Sequence, residues 1–213
     1  MLNSWTRQFL DLALEYRALR FGQFTLKSGR TSPYFFNAGN FNDGAGIDRI
    51  AHCYAAAINA SEIEFDMLFG PAYKGIPLAT AIAISLHREF GRNVPFAFNR
   101  KEAKDHGEGG LIVGAPLAGR VLIVDDVISA GTSVNESRQL IDQHSASAVA
   151  VTIALDRQER GSHSRSAVDE VRQAGLDVVA VASLDDLIAW LGEKPPGDAD
   201  LEAMLNYRQR FGV

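Results

Sequence analysis

One short segment of the chain, residues 121–133 (VLIVDDVISAGTS), combines several features of a ligand site. Its apolar beginning predicts a buried strand, and two carboxylates, Asp125 and Asp126, follow at the end of that strand. A loop of small residues, 129–133, then opens a predicted helix. Free backbone N–H groups at a helix start bind phosphate, whereas carboxylates suit sugar hydroxyls or Mg²⁺. A pair of carboxylates at a strand end and a small-residue loop at a helix start are each common structural devices. Together they predict a site for a phosphorylated sugar.

A second candidate site lies at residues 70–75 (GPAYKG), which follow a predicted strand and precede a predicted helix. The same property of helix N-termini favours an anion-binding loop here, although a plain strand–helix connection fits the pattern equally well. The segment is not a Walker A motif, because Ile76 stands where that motif continues with lysine.

A third segment, residues 99–110 (NRKEAKDHGEGG), is polar and glycine-rich and lies between two apolar runs. This profile predicts a mobile loop that links two strands. Its cations are Arg100, Lys101 and Lys104, with His106 as a titratable fourth group. Acidic residues balance these cations, so charge alone does not predict anion binding, and a solvated surface loop remains the alternative.

The first of these segments, 121–133, resembles the signature for 5-phosphoribosyl 1-pyrophosphate (PRPP) of the type I phosphoribosyltransferases. The other two, together with FTLKSGRTSPYFFNAG, are similar to the bacterial orotate phosphoribosyltransferases of that family. The similarity runs from about residue 20 to residue 160 in similar order and spacing, and the chain length also agrees. One residue departs from the family pattern: Ser129 stands where threonine is usual, which keeps a hydroxyl group.

The resemblance implies an enzyme that transfers the 5-phosphoribosyl group of PRPP to N1 of orotate, giving orotidine 5'-monophosphate and pyrophosphate in pyrimidine biosynthesis. It implies Mg²⁺ as the cofactor, carried mainly by PRPP and near Asp125, with no metal site built from side chains alone. It also implies a homodimer in which loop 99–110 reaches the neighbouring subunit's site. The residues expected to be catalytic are Lys104, His106, Asp125 and Asp126.

The resemblance also assigns residues to each substrate. The expected PRPP-binding residues are Lys27, Tyr73, Lys74, Arg100, Lys101, Lys104, His106, Asp125, Asp126, Val127, Ile128, Ser129, Ala130, Gly131, Thr132 and Ser133. The expected orotate-binding residues are Phe35, Phe36, Ser129 and Arg157. By residue type alone, Lys27 could be a surface lysine and the two phenylalanines could be core residues. Arg157 follows an apolar predicted strand, so we expect it at the same sheet edge as Asp125, where a guanidinium can bind a carboxylate by paired hydrogen bonds.

Three other functions deserve comparison with this hypothesis. A phosphoribosyltransferase for a purine or another acceptor would share the PRPP signature, but Phe35, Phe36 and Arg157 favour a small anionic ring. A PRPP-sensing regulator would bind without turnover, yet such a protein usually carries a DNA-binding extension or a basic face. An NAD-binding Rossmann enzyme needs GxGxxG after a strand, and the sequence contains no such motif.

The elements that must position these residues are short apolar strands that alternate with helices. Strands are predicted at about 66–70, 121–126, 148–155 and 177–182, after a helix over about 5–19 and a hairpin. This alternation is typical of an α/β fold with a doubly wound, mainly parallel sheet flanked by helices. We expect one domain over 1–213, formed by a small N-terminal α+β hood (about 1–62), a core (about 63–192) and a C-terminal helix (about 197–211).

Composition narrows the class of protein further. The 213 residues are 46% hydrophobic, as in globular proteins, and their net charge of -5 argues against a nucleic-acid partner. The single cysteine, Cys53, lies in a predicted helix and is expected to be an inert core thiol. Because the sequence shows neither a secretory signal nor a run long enough to span a membrane, we expect a cytoplasmic protein without a membrane partner.

Overall fold

The computed structural model describes residues 2–26, 28–104, 110–128, 131–161, 165–193, 197 and 199–213, without the side chains of residues 103 and 104. The helices are α1 (Ser4–Glu15), α2 (Gly44–Ala60), α3 (Gly75–Phe90), α4 (Thr132–Asp142), α5 (Ala167–Gln173), α6 (Leu184–Glu193) and α7 (Leu201–Phe211), with a short 3-10 helix at Ala38–Asn40. The strands are β1 (Leu19–Thr25), β2 (Thr31–Phe36), β3 (Met67–Gly70), β4 (Phe96–Lys104), β5 (Gly110–Gly114), β6 (Arg120–Val124), β7 (Ser147–Asp156) and β8 (Asp177–Ser183). Within these described ranges, no helix has the length and apolar character that crossing a bilayer requires.

Six of the strands form one sheet in the order β5-β4-β3-β6-β7-β8. Neighbouring strands run parallel, except that β5 is antiparallel to β4. Helices α1, α2, α3 and α6 belong to the hydrophobic core on one face, and α4 and α5 cover the other face. Strands buried on both faces must be apolar throughout, which explains the continuous runs in β3 and β6. The expected α/β fold with a mainly parallel sheet is confirmed.

The strand order reverses between β3 and β6. From β3 the chain passes to β4 on one side, and it later returns as β6 on the other side. The two strands pair in parallel from Met67 opposite Val121 to Phe69 opposite Ile123, so their carboxyl ends lie side by side. Open α/β sheets bind ligands at such a reversal point. The fold therefore brings the first two candidate segments together.

The N-terminal hairpin forms a separate antiparallel sheet of β1 and β2, and α7 packs against it. The helix predicted over 5–19 is too long, because α1 ends at Glu15 and Leu19 already belongs to β1. Arg17 has a φ of 52°, which reverses the chain direction after the helix. The side-chain amide of Asn40 then donates to the carbonyl oxygen of Arg17 at 2.8 Å and stabilises this early end.

The segment predicted as a loop, 99–110, is partly strand. Strand β4 continues to Lys104 and β5 begins at Gly110, with Asn99 opposite Ile112 in antiparallel pairing. Polar residues are compatible with this strand, because a hairpin at the edge of a sheet exposes its side chains to solvent. The remaining residues of the predicted loop, 105–109, lie outside the described residues.

Cys53 lies in α2 within the hydrophobic core and is only 2% exposed. Burial raises the pKa of its thiol to about 12, so the reactive thiolate is negligible at neutral pH. The interpretation of Cys53 as an inert core thiol is confirmed.

Candidate active site

Two glycines bring the loop after β3 against the end of β6. A Cβ atom on Gly70 would lie 2.1 Å from the carbonyl oxygen of Gly75. A Cβ atom on Gly75 would lie 2.8 Å from the carbonyl oxygen of Val124, the last residue of β6. Backbone segments can approach this closely only where no side chain intervenes. The loop of residues 71–74, which contains a cis peptide bond between Ala72 and Tyr73, is thereby placed next to the residues that follow β6.

Asp125 and Asp126 are buried just beyond β6, with 9% and 7% of their surfaces exposed. One carboxylate oxygen of Asp125 accepts the N–H of Asp126 at 2.9 Å, and the other accepts the hydroxyl of Ser133 at 3.0 Å. Burial raises the pKa of Asp125 to about 6; these hydrogen bonds oppose the rise, and the charge of Asp126 adds to it. Asp125 is therefore a carboxylate at neutral pH and becomes protonated in mildly acidic solution.

Lys74 joins the two loops by an ion pair with Asp126. Its ammonium lies 2.5 Å from one carboxylate oxygen of Asp126, and the lysine side chain is half exposed while that of Asp126 is 9% exposed. The cation can thus turn towards solvent or a ligand, whereas the carboxylate is held in place. Two residues predicted from separate segments, Lys74 and Asp126, are brought into direct contact.

Helix α4 begins a few residues after the two carboxylates. Gly131 precedes its first residue, Thr132, with a φ of 69° in the left-handed region that favours glycine. The first N–H groups of a helix lack partners within the helix, so the start of α4 can bind a phosphate group. Val127 is partly buried and Ile128 is buried, whereas residues 129–130 lie outside the described part of the chain.

The polar half of β4 reaches the loop of residues 71–74. The ammonium of Lys101 lies 4.8 Å from the ring centre of Tyr73, whose surface is 66% exposed. The side-chain oxygen of Asn99 accepts the N–H of Ala72 at 2.9 Å. Arg100 donates to a backbone carbonyl across the hairpin at 3.3 Å. These contacts join the second and third candidate segments at the same place.

The two predicted aromatic residues of β2 point in opposite directions, as neighbouring side chains in a strand do. Phe36 is 8% exposed and packs with Phe9 in the core, with ring centres 5.8 Å apart. Phe35 is partly buried and lies 5.6 Å from the ring of Phe24 and 5.5 Å from the guanidinium of Arg20. Of the pair, Phe35 is the ring available to a ligand outside the core.

Arg157 lies directly after β7, in contact with the hairpin. Its guanidinium lies 4.5 Å from the ring centre of Tyr34 in β2 and donates to Glu159 at 2.6 Å. Arg157 therefore belongs with the hairpin residues, and its described hydrogen bonds do not reach Asp125. Five predicted site groups lie outside the described residues: Lys27, His106, Ser129, Ala130 and the side chain of Lys104.

Comparison with known proteins places this geometry in a family. A model of the phosphoribosyl transferase domain matches residues 37–185. Orotate phosphoribosyltransferases from Shewanella oneidensis and Thiobacillus denitrificans are 53% and 57% identical over 213 residues, covering all of this chain and 99% and 100% of those proteins. The crystal structure of orotate phosphoribosyltransferase from Francisella tularensis superimposes with a TM-score of 0.87 and 39% identity over 96% of this chain and 99% of that one.

The chain belongs to the orotate phosphoribosyltransferases. Enzymes of this family transfer the 5-phosphoribosyl group of PRPP to orotate and form orotidine 5'-monophosphate, and this chain has that function. The predicted membership of the family is confirmed, and the Rossmann and non-catalytic alternatives are excluded with it.

Sequence reasoning missed three residues that make hydrogen bonds within this candidate site. Tyr54 donates its hydroxyl to the backbone oxygen of Asp125 at 2.8 Å, although its position in an apolar helix indicated only a core residue. Asn99 holds the 71–74 loop, and Glu159 pairs with Arg157. The partners of Tyr54 and Asn99 are distant in sequence, and Glu159 belongs to none of the motifs identified above. No local signal therefore marked these three residues as part of the site.

We expect Tyr54→Phe to lower the free energy of unfolding by about 1 kcal/mol, because it leaves the buried carbonyl of Asp125 without its hydroxyl donor. Urea unfolding measures the change. Tyr73→Phe is the matched control, since the exposed Tyr73 should give no change beyond error. An equal effect of the two substitutions would contradict the structural role of the Tyr54 hydroxyl.

Proposed function

We propose that the reversal point between β3 and β6 is where this chain binds PRPP and transfers its phosphoribosyl group to N1 of orotate. The observation that carries this assignment is the pair of buried carboxylates, Asp125 and Asp126, beside both Lys74 and the start of α4. A sugar phosphate with a pyrophosphate group presents hydroxyls, a monophosphate and a polyanion, and each finds a complementary group there.

PRPP binding would rearrange the ion pair between Lys74 and Asp126. The ammonium of Lys74 is half exposed, so it can turn from the carboxylate to the oxygens of pyrophosphate. Asp126 is then free to accept hydrogen bonds from the ribose hydroxyls, with Asp125 beside it. The N–H groups at the start of α4, from Gly131 to Ser133, would hold the 5'-phosphate together with the loop residues 127–130.

Transfer requires stabilisation of a negatively charged leaving group and a positively charged ribose ring. We assign the first task to Arg100, Lys101, Lys104 and His106, and the second to the carboxylates. A loop that closes over the site would exclude water, which otherwise hydrolyses the sugar donor. The proton of N1 leaves as the bond to the ribose forms and passes to the oxygens of the released pyrophosphate or to water, so we assign no residue as a dedicated base.

The residues at the site fit Mg²⁺ carried by the substrate. Among the described residues, no cluster of side chains could hold a metal ion by itself. The adjacent carboxylates Asp125 and Asp126 suit an ion that takes most of its ligands from phosphate and water. When bound, Mg²⁺ supplies charge neutralisation to the pyrophosphate group of PRPP.

The acceptor would lie between the hairpin and the end of β7. Phe35 offers a ring outside the core, against which a planar pyrimidine can pack. Arg157 offers a guanidinium for the orotate carboxylate or a ring carbonyl. Lys27, Phe36 and Ser129 remain assigned to the substrates by family resemblance, although Phe36 acts from the core side of β2.

We further propose a homodimer in the cytoplasm, with the hairpin of β4 and β5 extending into the partner's site. This arrangement rests on family resemblance and on the polar, edge position of that hairpin. The single, buried Cys53 is compatible with a reducing compartment.

An absorbance assay of orotate consumption tests the proposed function directly. Orotate should disappear when PRPP and Mg²⁺ are both present, and pyrophosphate should form in equal amount. Omission of either should abolish the change. No PRPP-dependent consumption of orotate would refute the proposal. Faster turnover of adenine or another base would show that orotate is not the preferred acceptor.

Lys104→Ala should lower kcat for orotidine 5'-monophosphate formation by about tenfold or more, because it removes a cation assigned to the leaving pyrophosphate. Steady-state kinetics with saturating PRPP measure it. Arg88→Ala is the control, since Arg88 is an exposed, ion-paired cation on α3 outside the site. A kcat for Lys104→Ala within about twofold of the unchanged enzyme would contradict the role of the loop.

The same variant tests whether the loop acts across subunits. Mixing Lys104→Ala with Asp125→Asn subunits should restore about a quarter of the wild-type activity. About half of the randomly assembled dimers contain one subunit of each kind, and one of the two sites in each of these has an intact loop and intact carboxylates. If the loop serves its own subunit, the mixture should stay as inactive as its components.

A further inference from the structure

The guanidinium of Arg157 is held in one orientation chiefly by Tyr34 and Glu159, and its Nη2 also donates to the hydroxyl of Ser32 at 3.4 Å. The ring of Tyr34 lies 4.5 Å below it and sets the plane of the group. Glu159 accepts hydrogen bonds from Nε at 2.9 Å and from Nη2 at 2.6 Å on the same oxygen, Oε1, which sets its rotation within that plane. In the described part of the chain Nη1 makes no hydrogen bond. The Nη1 side of the guanidinium, its free edge, therefore remains available to an acceptor atom of a ligand.

Glu159 is itself held from several sides. Its side chain is only 12% exposed, and Tyr34 donates its hydroxyl to Oε1 at 3.5 Å. Arg30 lies 3.9 Å from the other carboxylate oxygen. Holding a long acidic side chain this firmly costs rotamer entropy, which the surrounding contacts offset.

The backbone around Glu159 is joined to the segment that follows α7. Glu159 forms an antiparallel bridge with Gly212. The N–H of Arg160 donates to the carbonyl of Phe211 at 2.8 Å, and the N–H of Val213 donates to the carbonyl of Gln158 at 3.0 Å. The residues before and after Glu159 are therefore both hydrogen-bonded to residues 211–213, which fixes the backbone at Glu159 more firmly than in a free surface loop.

From this arrangement we infer that Glu159 is a positioning residue, which orients Arg157 so that its free edge faces the anionic pyrimidine acceptor. The inference rests on the proposed role of Arg157 in binding orotate. A carboxylate beside the binding site of an anion weakens the attraction by its charge, so Glu159 helps binding only through the geometry that it imposes. Two opposite effects thus act on acceptor affinity, and the effect of orientation is the larger.

Two substitutions separate these effects. Glu159→Gln removes the charge but keeps an oxygen at the same reach, whereas Glu159→Asp keeps the charge but withdraws the oxygens by one methylene group. If orientation dominates, Glu159→Asp should raise KM for orotate about tenfold, and Glu159→Gln should leave it within about threefold. In both variants KM for PRPP should stay within about twofold. If charge dominates, Glu159→Gln should lower KM for orotate and Glu159→Asp should leave it unchanged, which would overturn the inference.

A double-mutant cycle with Arg157→Ala keeps the inference separate from the proposed function. If Glu159 acts through Arg157, adding Glu159→Asp to Arg157→Ala should change KM for orotate by less than about twofold. If Arg157→Ala alone leaves KM for orotate unchanged, the proposed role of Arg157 fails. If Arg157→Ala raises that KM and Glu159→Asp does not, only the positioning inference fails.

Thermal unfolding of each variant controls for general damage. Glu193→Ala is the matched control, because it removes the acid of an exposed ion pair with Arg7 and should leave both KM values unchanged. A merely structural role for Glu159 would lower the unfolding temperature and change both KM values together, and this result would also overturn the inference.

Discussion

Asp125→Asn is expected to lower kcat for phosphoribosyl transfer about 100-fold and, at neutral pH, to raise the stability of the fold. Asparagine has nearly the same shape and can keep an acceptor for the N–H of Asp126, so the site should stay formed. What disappears is the negative charge beside the ribose ring, which we assign to stabilising the cationic transition state. A loss of activity combined with a gain of stability would separate this role from a structural one.

The gain of stability follows from the raised pKa of Asp125. Burial lifts that pKa from 3.8 to about 6, so the folded protein binds a proton more tightly than the unfolded chain does. Ionising Asp125 therefore destabilises the fold: the cost is absent below about pH 4, grows up to about pH 6 and is complete above it. Asp125→Asn removes this cost, which amounts to about 1–3 kcal/mol at pH 7.5 and vanishes at pH 4.

Urea unfolding of both proteins at pH 7.5 and at pH 4 measures the stability difference, and steady-state kinetics measure kcat. In the unchanged enzyme, kcat should also fall as the pH drops through about 6, because Asp125 takes up a proton there. Asp142→Asn, at the exposed end of α4, is the control and should change neither quantity by much. Equal stability differences at the two pH values would show that the pKa of Asp125 is not raised.

Gly70→Ala is expected to cost about 2–4 kcal/mol of folding free energy and to raise KM for PRPP strongly. The added Cβ would lie 2.1 Å from the carbonyl oxygen of Gly75, an atom of the backbone that cannot rotate away. The loop of residues 71–74 would have to move away from β6 and take Lys74 with it. Damage to PRPP binding should therefore exceed damage to orotate binding, since Arg157 and Phe35 lie on other elements.

Substrate titrations and urea unfolding test this prediction. Gly192→Ala is the matched control, because a Cβ at Gly192 in α6 meets no atom within 4 Å. It should leave KM for PRPP unchanged and add up to about 1 kcal/mol of stability through better helix propensity. If Gly70→Ala were as harmless as the control, the close packing of the two glycines would not be what places the loop.

Much of the fold follows from local sequence patterns. The apolar runs before Asp125 and before Arg157 indicated buried strands, and both became central strands of the sheet. The patterns predicted the ends of helices and strands less well where hydrogen bonds from distant residues determine those ends. The end of α1 depends on Asn40, and the length of β4 depends on pairing with β5, so the predictions over 5–19 and 99–110 were wrong at their edges.

The candidate site shows the same division between local and distant information. The carboxylates, the small-residue loop and the anion-binding loop were all visible as strand-to-helix connections. Their contacts were not, because Lys74 and Asp126 are 52 residues apart in the chain. The Tyr54 hydroxyl and the Asn99 amide likewise satisfy backbone groups of distant loops, and no spacing rule connects such partners.

By itself, the sequence determined the α/β class, the order of strands and helices, and the segments with chemistry suited to a phosphorylated sugar. The resemblance of those segments to a family also indicated the reaction. Only the tertiary structure decided which segments meet. The order of the strands within the sheet differs from their order along the chain, and it depends on how helices pack over the whole sheet. It placed β3 beside β6, joined Lys74 to Asp126, turned Phe36 into the core and packed Arg157 against Tyr34. These are long-range contacts or choices between two faces of a strand, which local patterns leave open.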